Sequence, residues 1–528
     1  MAADFNPDSV HDLRVALRRC RSLADGLMAL DPDPDWKNMK KAGKRLFQRL
    51  GDLRDIHVME EWVEKLKQKQ EQKQSKTNKS YAERSFSLPV QAANQNLDPT
   101  AESGEPQDNF EDAAAQALLR ILKAREQEQE HESQSALGEF DRKQWRRWSK
   151  SLPASASRIR PQSPLFKHLA LERWTEARQL HARALRNRSQ TAFHSLRIGI
   201  KRFRYTVENF LPAEHKLWSD DLKEMQDLLG DVHDLDVLWS TATACQIFPD
   251  DDSRDLWRER ILSQRSKRID GYRAKMVGEN SLWLVWRSAL PQGKQVQDLA
   301  TRRMKLWANS LDPDFAHSER VASLALQLYD GLLAAWQPAI DASSARSSLL
   351  AAALLHDVGK FKGNKNHHKK SLKLIQSHGN PLGWRPAEFR RAAIVARFHR
   401  GALPTRRHQL LRDLLPDEQK ATIQLAAILR LANALDAAHD GHIRRVKVEG
   451  IQGKAEKNYQ KRTAGFLRKL PGHDRNEPLV IVAEGYTPLG SGARTIAAER
   501  HLLETVLHRP VLVRPMALRA RPASRQIR

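Results

Sequence analysis

The sequence predicts a mainly α fold with a small α/β appendage close to its C-terminal end. Three observations point there. Apolar residues recur at helical spacing over long stretches, as in Val10, Leu13, Leu17, Cys20, Ala24 and Leu27. The same kind of stripe returns at Phe193, Leu196, Ile200, Phe203, Val207 and Phe210, so a helical unit is repeated. Short β-type runs appear only late, in VKVEGI and PLVIVAEGY.

Beside each apolar stripe runs a basic one: His11, Arg14, Arg18 and Arg21 in the first copy, His194, Arg197, Lys201 and Arg204 in the second. Both sets keep the alternating helical spacing that lines residues along one face. An offset of one residue is about 100° of rotation, so the cations flank the core seam rather than facing open water. Each rail spans about 15 Å at about 1.5 Å per residue, a form suited to an extended polyanion. A single stripe also arises when arginines lie along apolar surface and pair with acidic neighbours. The second copy, in the same order, favours binding. Arginine suits phosphate because its planar fork donates bidentately and stays charged.

Composition agrees. Among 528 residues, 89 Lys and Arg stand against 64 Asp and Glu, a net charge of +25 that calls for an anionic partner. Two cysteines, Cys20 and Cys245, in apolar helical text imply a reduced, cytoplasmic protein. The opening MAADFNPDSV has no basic n-region and no apolar run, so no signal peptide is expected. No run of about 18 apolar residues occurs, so no membrane span is expected.

In chain order, residues 8–290 read as a helical domain. It is interrupted at about 67–108 by Lys/Gln/Ser-rich and then Pro/Asn/Glu/Asp-rich text, expected to be disordered. Pro291-Gln292-Gly293 opens an expected linker, 291–304. Helices follow over 305–440, a small α/β region over 446–514 with one helix at Ala493–Val506, and a basic tail at 515–528. Leu50-Gly51-Asp52-Leu53-Arg54-Asp55-Ile56-His57-Val58 matches Leu229-Gly230-Asp231-Val232-His233-Asp234-Leu235-Asp236-Val237 at nearly the offset of the basic stripes. Two units in the same order suggest an internal duplication with a pseudo-two-fold. Asp52 and Asp55, and Asp231 and Asp234, are placed to orient the arginines or, alternatively, to bind a metal.

The pairs VHDLRVALRRCR with LGDLRDIHV, and FHSLRIGIKRFR with LGDVHDLDV, resemble the two halves of a conserved-histidine α-helical (CHAD) domain. The resemblance implies a duplicated helical bundle whose basic centre binds inorganic polyphosphate. It carries that role onto His11, Arg14, Arg18, Arg21, His194, Arg197, Lys201 and Arg204.

A second constellation follows: His317, then His356-Asp357 closing an apolar helix before Gly359, His367-His368, His399, and LRLANALDAAHD. A buried His and Asp need partners, and a divalent metal supplies one, since imidazole and carboxylate both ligate such ions. The bland alternative is polar groups capping helices. The text LLHDVGKFKGNKNHHKKSLKLI, IVARFHRGALP and LAAILRLANALD resembles the HD superfamily of metal-dependent phosphohydrolases. More closely, it resembles the HD domain of the exopolyphosphatase/guanosine-pentaphosphate phosphatase family, and 446–514 resembles that family's C-terminal region.

This resemblance implies an all-α HD domain with His317, His356 and Asp357 as ligands of a divalent ion (Mn, Mg, Fe or Zn), and His368 and His399 serving a second. Asp357 and Lys360 become candidate catalytic residues, Lys360 by meeting a phosphate. Lys369, Arg397 and Arg400 join Lys360 as stabilisers of developing charge. Where the family has a final Asp, Asn433 stands here, a poor ligand for transition metals; Asp436, on the same face, is the candidate substitute. The family's actin-like phosphatase domains have no counterpart, and no glycine-rich phosphate loop is found.

The leading reading is therefore a cytoplasmic polyphosphate-binding protein with a metal-dependent HD phosphohydrolase centre acting on polyphosphate or phosphorylated nucleotides. Two alternatives stay open. One is a non-catalytic polyphosphate-binding regulator or granule protein with a degenerate HD fold. The other is a nucleic-acid-associated HD hydrolase, supported only by charge and by Trp/Arg text such as Gln144-Trp145-Arg146-Arg147-Trp148.

Overall fold

The computed structural model describes residues 7–31, 33–66, 108–156, 160, 162–333, 338–449, 478–490 and 492–516. The expected disordered insertion, apart from Asp108, lies outside the described residues, as does the basic tail from 517 on. The chain divides into two compact units, Met1–Pro291 and Gln292–Arg528. The fold is mainly α with one small sheet near the C-terminal end.

The first unit begins with α1 (Pro7–Met28), α2 (Pro34–Arg49), α3 (51–66), α4 (Asp108–Gly138) and α5 (Arg142–Ala156). It continues with α6 (Pro164–Asn187), α7 (Gln190–Phe210), α8 (Pro212–Ala244), α9 (Asp251–Met276) and α10 (Leu282–Ser288). Local chemistry sets the starts. Asp33 accepts from the Asp35 N–H with Pro34 at the first helical position, and Ser189 accepts from Ala192. α7 buries all six members of its apolar stripe, while α1 buries Val10, Leu17, Ala24 and Leu27 and leaves Leu13 and Cys20 half-buried. α7 packs against α1, α6 and α8, and α1 also packs against α2. Gly26 of α1 makes the close approach possible, because a Cβ there would overlap the Phe210 ring of α7. The two basic stripes are thus carried on helices in direct contact. Trp148, by contrast, is buried, and Trp145 packs against Phe140 and lies over Gly43. The tryptophans of the Trp/Arg text serve packing, while Arg146 and Arg147 are exposed.

The second unit comprises α11 (Lys294–Leu311), α12 (Phe315–Leu332), α13 (Ala342–Leu355), a 3₁₀ turn (Val358–Lys362) and α14 (His367–His378). It continues with α15 (Pro386–Arg397), α16 (Gln409–Arg412), α17 (Pro416–Leu435), β1 (Val446–Glu449), β2 (Leu479–Ala483), α18 (Ala493–Glu499), α19 (His501–Leu507) and β3 (Val511–Pro515). The expected linker is corrected here. From Lys294 on it is helix, because Leu299, Ala300, Met304 and Ala308 recur at helical spacing and are buried, with Gly293 at φ +51 making the turn before it. The helix expected at Ala493–Val506 is parted at Arg500 into α18 and α19. In the sheet, β2 is central, antiparallel to β1 and parallel to β3. Leu479, Ile481 and Ala483 join the same core as α12, α13 and α17, so the appendage is packed into the helical unit. Among the described residues no helix is long and apolar enough to cross a membrane.

Candidate functional site

In the first unit the rails meet. Burial pushes Arg14 and Arg197 below the ordinary guanidinium range, and Asp55 opposes this at both, with Asp234 opposing more strongly at Arg197. Burial drives Lys201 down to about 7, helped by Arg197 and Arg18 and opposed by Asp234. Asp234 is pushed up to about 6 by burial, against the pull of Arg197 and Lys201. Arg14, Arg18, Arg197 and Lys201 therefore form one cationic seam in which Asp55 and Asp234 are interleaved anions, with Asp52 adding to the pull on Arg14.

Aromatic rings and carbonyls shape the seam. Arg14 donates to the Phe47 carbonyl at 3.1 Å, and the Arg14 and Arg21 guanidiniums lie 4.2 and 4.8 Å from the Phe47 ring. Arg18 lies over Tyr205 at 5.6 Å. The Nε atoms of Arg18, Arg21, Arg197 and Arg204 are buried without a hydrogen-bond partner. Gly51 gives Arg14 passage, since a Cβ there would stand 3.3 Å from its Nη1.

The ends of the rails differ from the middle. Arg204 reaches Glu208 at 4.0 Å, His194 contacts His233 at 3.3 Å through their Nδ1 atoms, and His11 is exposed near the start of α1. Asp231 is held by Arg268 at 2.7 Å, away from the orienting role expected of it. Phe47 and Tyr205 went unread in the sequence because nothing in their own spacing shows a guanidinium above them.

In the second unit, helix ends converge. His317 lies in the first turn of α12, where Asp314 caps its N–H; His356 and Asp357 close α13; His367 opens α14; His399 follows α15; Asn433 and Asp436 end α17. The approach of α14 depends on Gly359, because a Cβ there would collide with the His367 carbonyl and with Ser371. Ser371 completes the joint, accepting from Gly359 N–H at 2.9 Å and donating to the His356 carbonyl at 2.7 Å.

Tautomers follow from the partners. Nδ1 of His356, His367 and His399 faces the carbonyls of Ala353, Asn364 and Ala396 at 2.7, 3.0 and 2.8 Å, and Nδ1 of His317 faces Asp436 Oδ2 at 2.7 Å. These oxygens only accept, so each Nδ1 carries a proton and each Nε2 is turned inward. Around Asp357, Oδ2 lies 3.3 Å from His356 Nε2 and 3.9 Å from His317 Nε2. Oδ1 lies 3.1 Å from His367 Nε2 and 3.7 Å from His399 Nε2.

All five residues are buried. Burial pushes Asp357 up, but His356, His367 and His399 outweigh it and hold the carboxyl far below the ordinary range. Burial pushes His399 well down; at His356 the pull of Asp357 outweighs burial and raises it.

The donors fit a divalent ion. His317, His356 and Asp357 form one group, and Asp357, His367 and His399 another, each with donor atoms within 4.8 Å of one another. His356 Nε2 and Asp357 Oδ1 have no hydrogen-bond partner, and His367 Nε2 faces His399 Nε2 at 3.1 Å, where only one proton has room. Two donors on one ion at about 2.1 Å stand roughly 3–3.5 Å apart. Lys360 Nζ reaches Asp357 Oδ2 at 2.6 Å, so this lysine is ion-paired with the carboxylate rather than free to meet a phosphate.

Two expectations are corrected. His367, not His368, is among the converging donors: after Asn366 in the left-handed conformation, the first residue of α14 turns inward and the second faces the turn at Gly401. Adjacency alone gave no way to choose. Asp436 is not aimed at the centre either. It stands behind His317, taking its Nδ1 proton, the Arg320 Nε–H at 2.9 Å and the Gly441 N–H at 3.1 Å. Asn433 Oδ1 is the atom in front, 3.1 Å from His317 Nε2.

The sequence reading also missed Arg320, one turn from His317, and His439. The His439 ring stacks on His317 at 3.8 Å and its Nδ1 meets Asp314 at 2.6 Å. The spacing of Arg320 from His317 was a usable signal; the left-handed turn that presents His439 was not.

No curated protein matches the chain. Two family models do. The one described as CHAD domain covers residues 1–243, and the one described as Ppx/GppA phosphatase, domain III, covers residues 301–472. By sequence, therefore, the first unit is similar to a CHAD domain and the second to domain III of the Ppx/GppA phosphatases.

Proposed function

We propose that the first unit binds inorganic polyphosphate along the α1 and α7 rails, and that the second is a metal-dependent phosphohydrolase of the HD type. Its substrate would be a phosphoric anhydride or ester, in polyphosphate or a phosphorylated nucleotide. The observation that carries the hydrolytic half is the set of four inward Nε2 atoms around the two oxygens of Asp357. His317, His356, Asp357 and Asn433 would hold one divalent ion, and Asp357, His367 and His399 a second. When bound, such an ion lowers the pKa of a water and polarises a phosphoryl oxygen.

The chain's own residues supply the rest. Asp436 and the backbone carbonyls fix the imidazoles, burial excludes bulk water, and Lys360 offers a cation beside the reacting position. For the binding half, Arg14, Arg197 and Lys201 stay below their ordinary ranges despite the pull of Asp52, Asp55 and Asp234, a shortfall that a phosphate chain would remedy. The protein is read as acting in the cytoplasm, associated with polyphosphate granules where these form.

The test is direct. The full chain should take up Mn²⁺ or another divalent ion and release phosphate from polyphosphate or nucleotides, and Asp357→Ala should stop release while sparing polyphosphate binding. Hydrolysis unaffected by Asp357→Ala would exclude the centre. A second reading, a polyphosphate-binding regulator without catalysis, is favoured by Asn433 at the position of the expected Asp and by the Lys360 ammonium on Asp357. A chain that stays metal-free and inactive would select it.

A further inference from the structure

A cleft of about 450 Å³ opens in the first unit between α2 and the corner where α4 turns into α5, and no rail residue lines it. Helical spacing makes the α2 wall: Asn38, Lys41, Ala42, Arg45, Leu46 and Arg49 recur at three and four residues and share one face. The floor is apolar. Ala42 and Leu46 meet Ala136 of α4 and the rings of Phe140 and Trp148. Trp145 braces the aromatic side, 5.4 Å from Phe140 and 6.4 Å from Trp148.

The charges on the rim do not balance. Glu139 is ion-paired with Arg49 and accepts from Ser135 Oγ at 3.3 Å. Asp141 accepts the Gln144 N–H at 2.8 Å at the start of α5. Both carboxylates that line the cleft are thus engaged. Lys41 and Arg45 are exposed, and among the described residues neither is ion-paired. Two side-chain amides complete the rim: that of Gln144, and that of Asn38, whose Nδ2 reaches only Asp35 at 3.5 Å. Trp148 adds an unspent donor, since its Nε1 is buried without a hydrogen-bond partner.

An apolar floor with a few polar groups around it is the usual lining of a small-ligand site. A bare phosphate chain has no apolar face to lay on this floor, and a fatty acid has no use for the amides. A nucleotide answers every part. Its planar base covers the floor, its base edge offers donors and acceptors to amides, and its phosphate takes the cations. We propose that this cleft binds a nucleotide unit, with the base over Phe140 and Trp148, its edge at Asn38 and Gln144, and its phosphate at Lys41 and Arg45. The site is separate from the polyphosphate rails and does not depend on the metal centre.

A free nucleotide and one unit of a single-stranded nucleic acid present this same chemistry. Arg146 and Arg147, exposed on α5 between Gln144 and Trp148, are placed to follow the next phosphates of a strand.

The test uses the full chain with Arg14, Arg18, Arg197 and Lys201 all changed to Ala, so that the rails no longer contribute, and with chelator to prevent turnover. Calorimetric titration with AMP and ribose 5-phosphate should show AMP at least tenfold tighter, with the same AMP affinity in the wild-type chain. The exposed double change Lys41→Ala with Arg45→Ala should weaken AMP by tenfold or more. Ala42→Leu, which fills the floor and leaves every charge in place, should do the same. A labelled oligoadenylate, read by fluorescence anisotropy, separates the two sources. Binding at least tenfold tighter than AMP, and weakened by Arg146→Ala with Arg147→Ala, assigns the cleft to a strand; affinity equal to that of AMP assigns it to the free nucleotide.

The proposal is overturned if ribose 5-phosphate binds as tightly as AMP. It is also overturned if the exposed double variant and Ala42→Leu, both folded by circular dichroism, keep the parent's affinity for AMP and the oligoadenylate.

Discussion

Asp436 Oδ2 lies 2.7 Å from His317 Nδ1, and on the other side of the same ring Nε2 meets Asn433 Oδ1 at 3.1 Å. One carboxylate thus orients the imidazole from behind while an amide oxygen stands in front of it. Burial pushes Asp436 up, but the hydrogen bonds from His317 and Arg320 outweigh it and keep the carboxylate charged. The division of labour follows from spacing: three residues apart at the C-terminal end of α17, the two side chains reach the two different nitrogens of one ring.

Asp436→Asn should therefore weaken divalent-ion binding by about 10–100-fold, the usual cost of losing an outer-shell partner. Asn433→Asp should strengthen it by placing a charged oxygen before Nε2. Calorimetric titration with Mn²⁺ reads both. Equal loss in Asp436→Asn and Asp357→Asn would instead make Asp436 a direct ligand.

Changing Arg14, Arg18, Arg197 and Lys201 together to Ala should cost several kcal/mol of polyphosphate binding, at about 1.5–3 kcal/mol per charged hydrogen bond and with strong non-additivity. Wild-type affinity should fall steeply with salt, and the slope should shrink in the variant. Fluorescence anisotropy with labelled polyphosphate at several salt concentrations measures both, and an unchanged slope counts against the seam.

Polyphosphate affinity should decline as pH rises above about 7. Lys201 is lowered to about 7 by burial first and then by Arg197 and Arg18, so it enters the complex charged only by taking up a proton. One proton limits the effect to about tenfold per pH unit. Lys201→Arg should flatten the profile. The charged and titratable groups that act with it are Arg14, Arg18, Arg197, Asp234, Asp227, His194 and His233; Asp234, raised to about 6, loses its charge below that pH and should add to the affinity there.

For the free protein the sign reverses. Folding disfavours charged Lys201, so this group's penalty is absent above its ordinary value of 10.5, grows as pH falls, and is complete below about 7. Lys201→Met should thus raise stability most at pH 6, as read by thermal unfolding.

Gly359→Ala should destabilise the second unit by about 1–3 kcal/mol, because the added methyl meets the His367 carbonyl and Ser371. Metal uptake should weaken with it, since the same contact places His367 beside Asp357. Thermal unfolding with and without Mn²⁺ separates the two effects.

Much of this protein was determined by local sequence. The 3.6-residue periodicity of α1 and α7, their basic flanks, the late strands and the His-Asp pair closing α13 were legible because helical spacing and chain-local capping depend on neighbours a few residues away. The α11 helix was misread as linker because Pro291 and Gly293 look like breakers, although they only make the turn before it.

Tertiary structure decided what depends on direction across elements. It turned His367 inward rather than His368, set Asp436 behind its histidine, and brought α1 onto α7 so that cations of both stripes share one buried seam. Each is a question of which way a side chain points from a helix end or interface, and that orientation is fixed by packing between segments far apart in the chain.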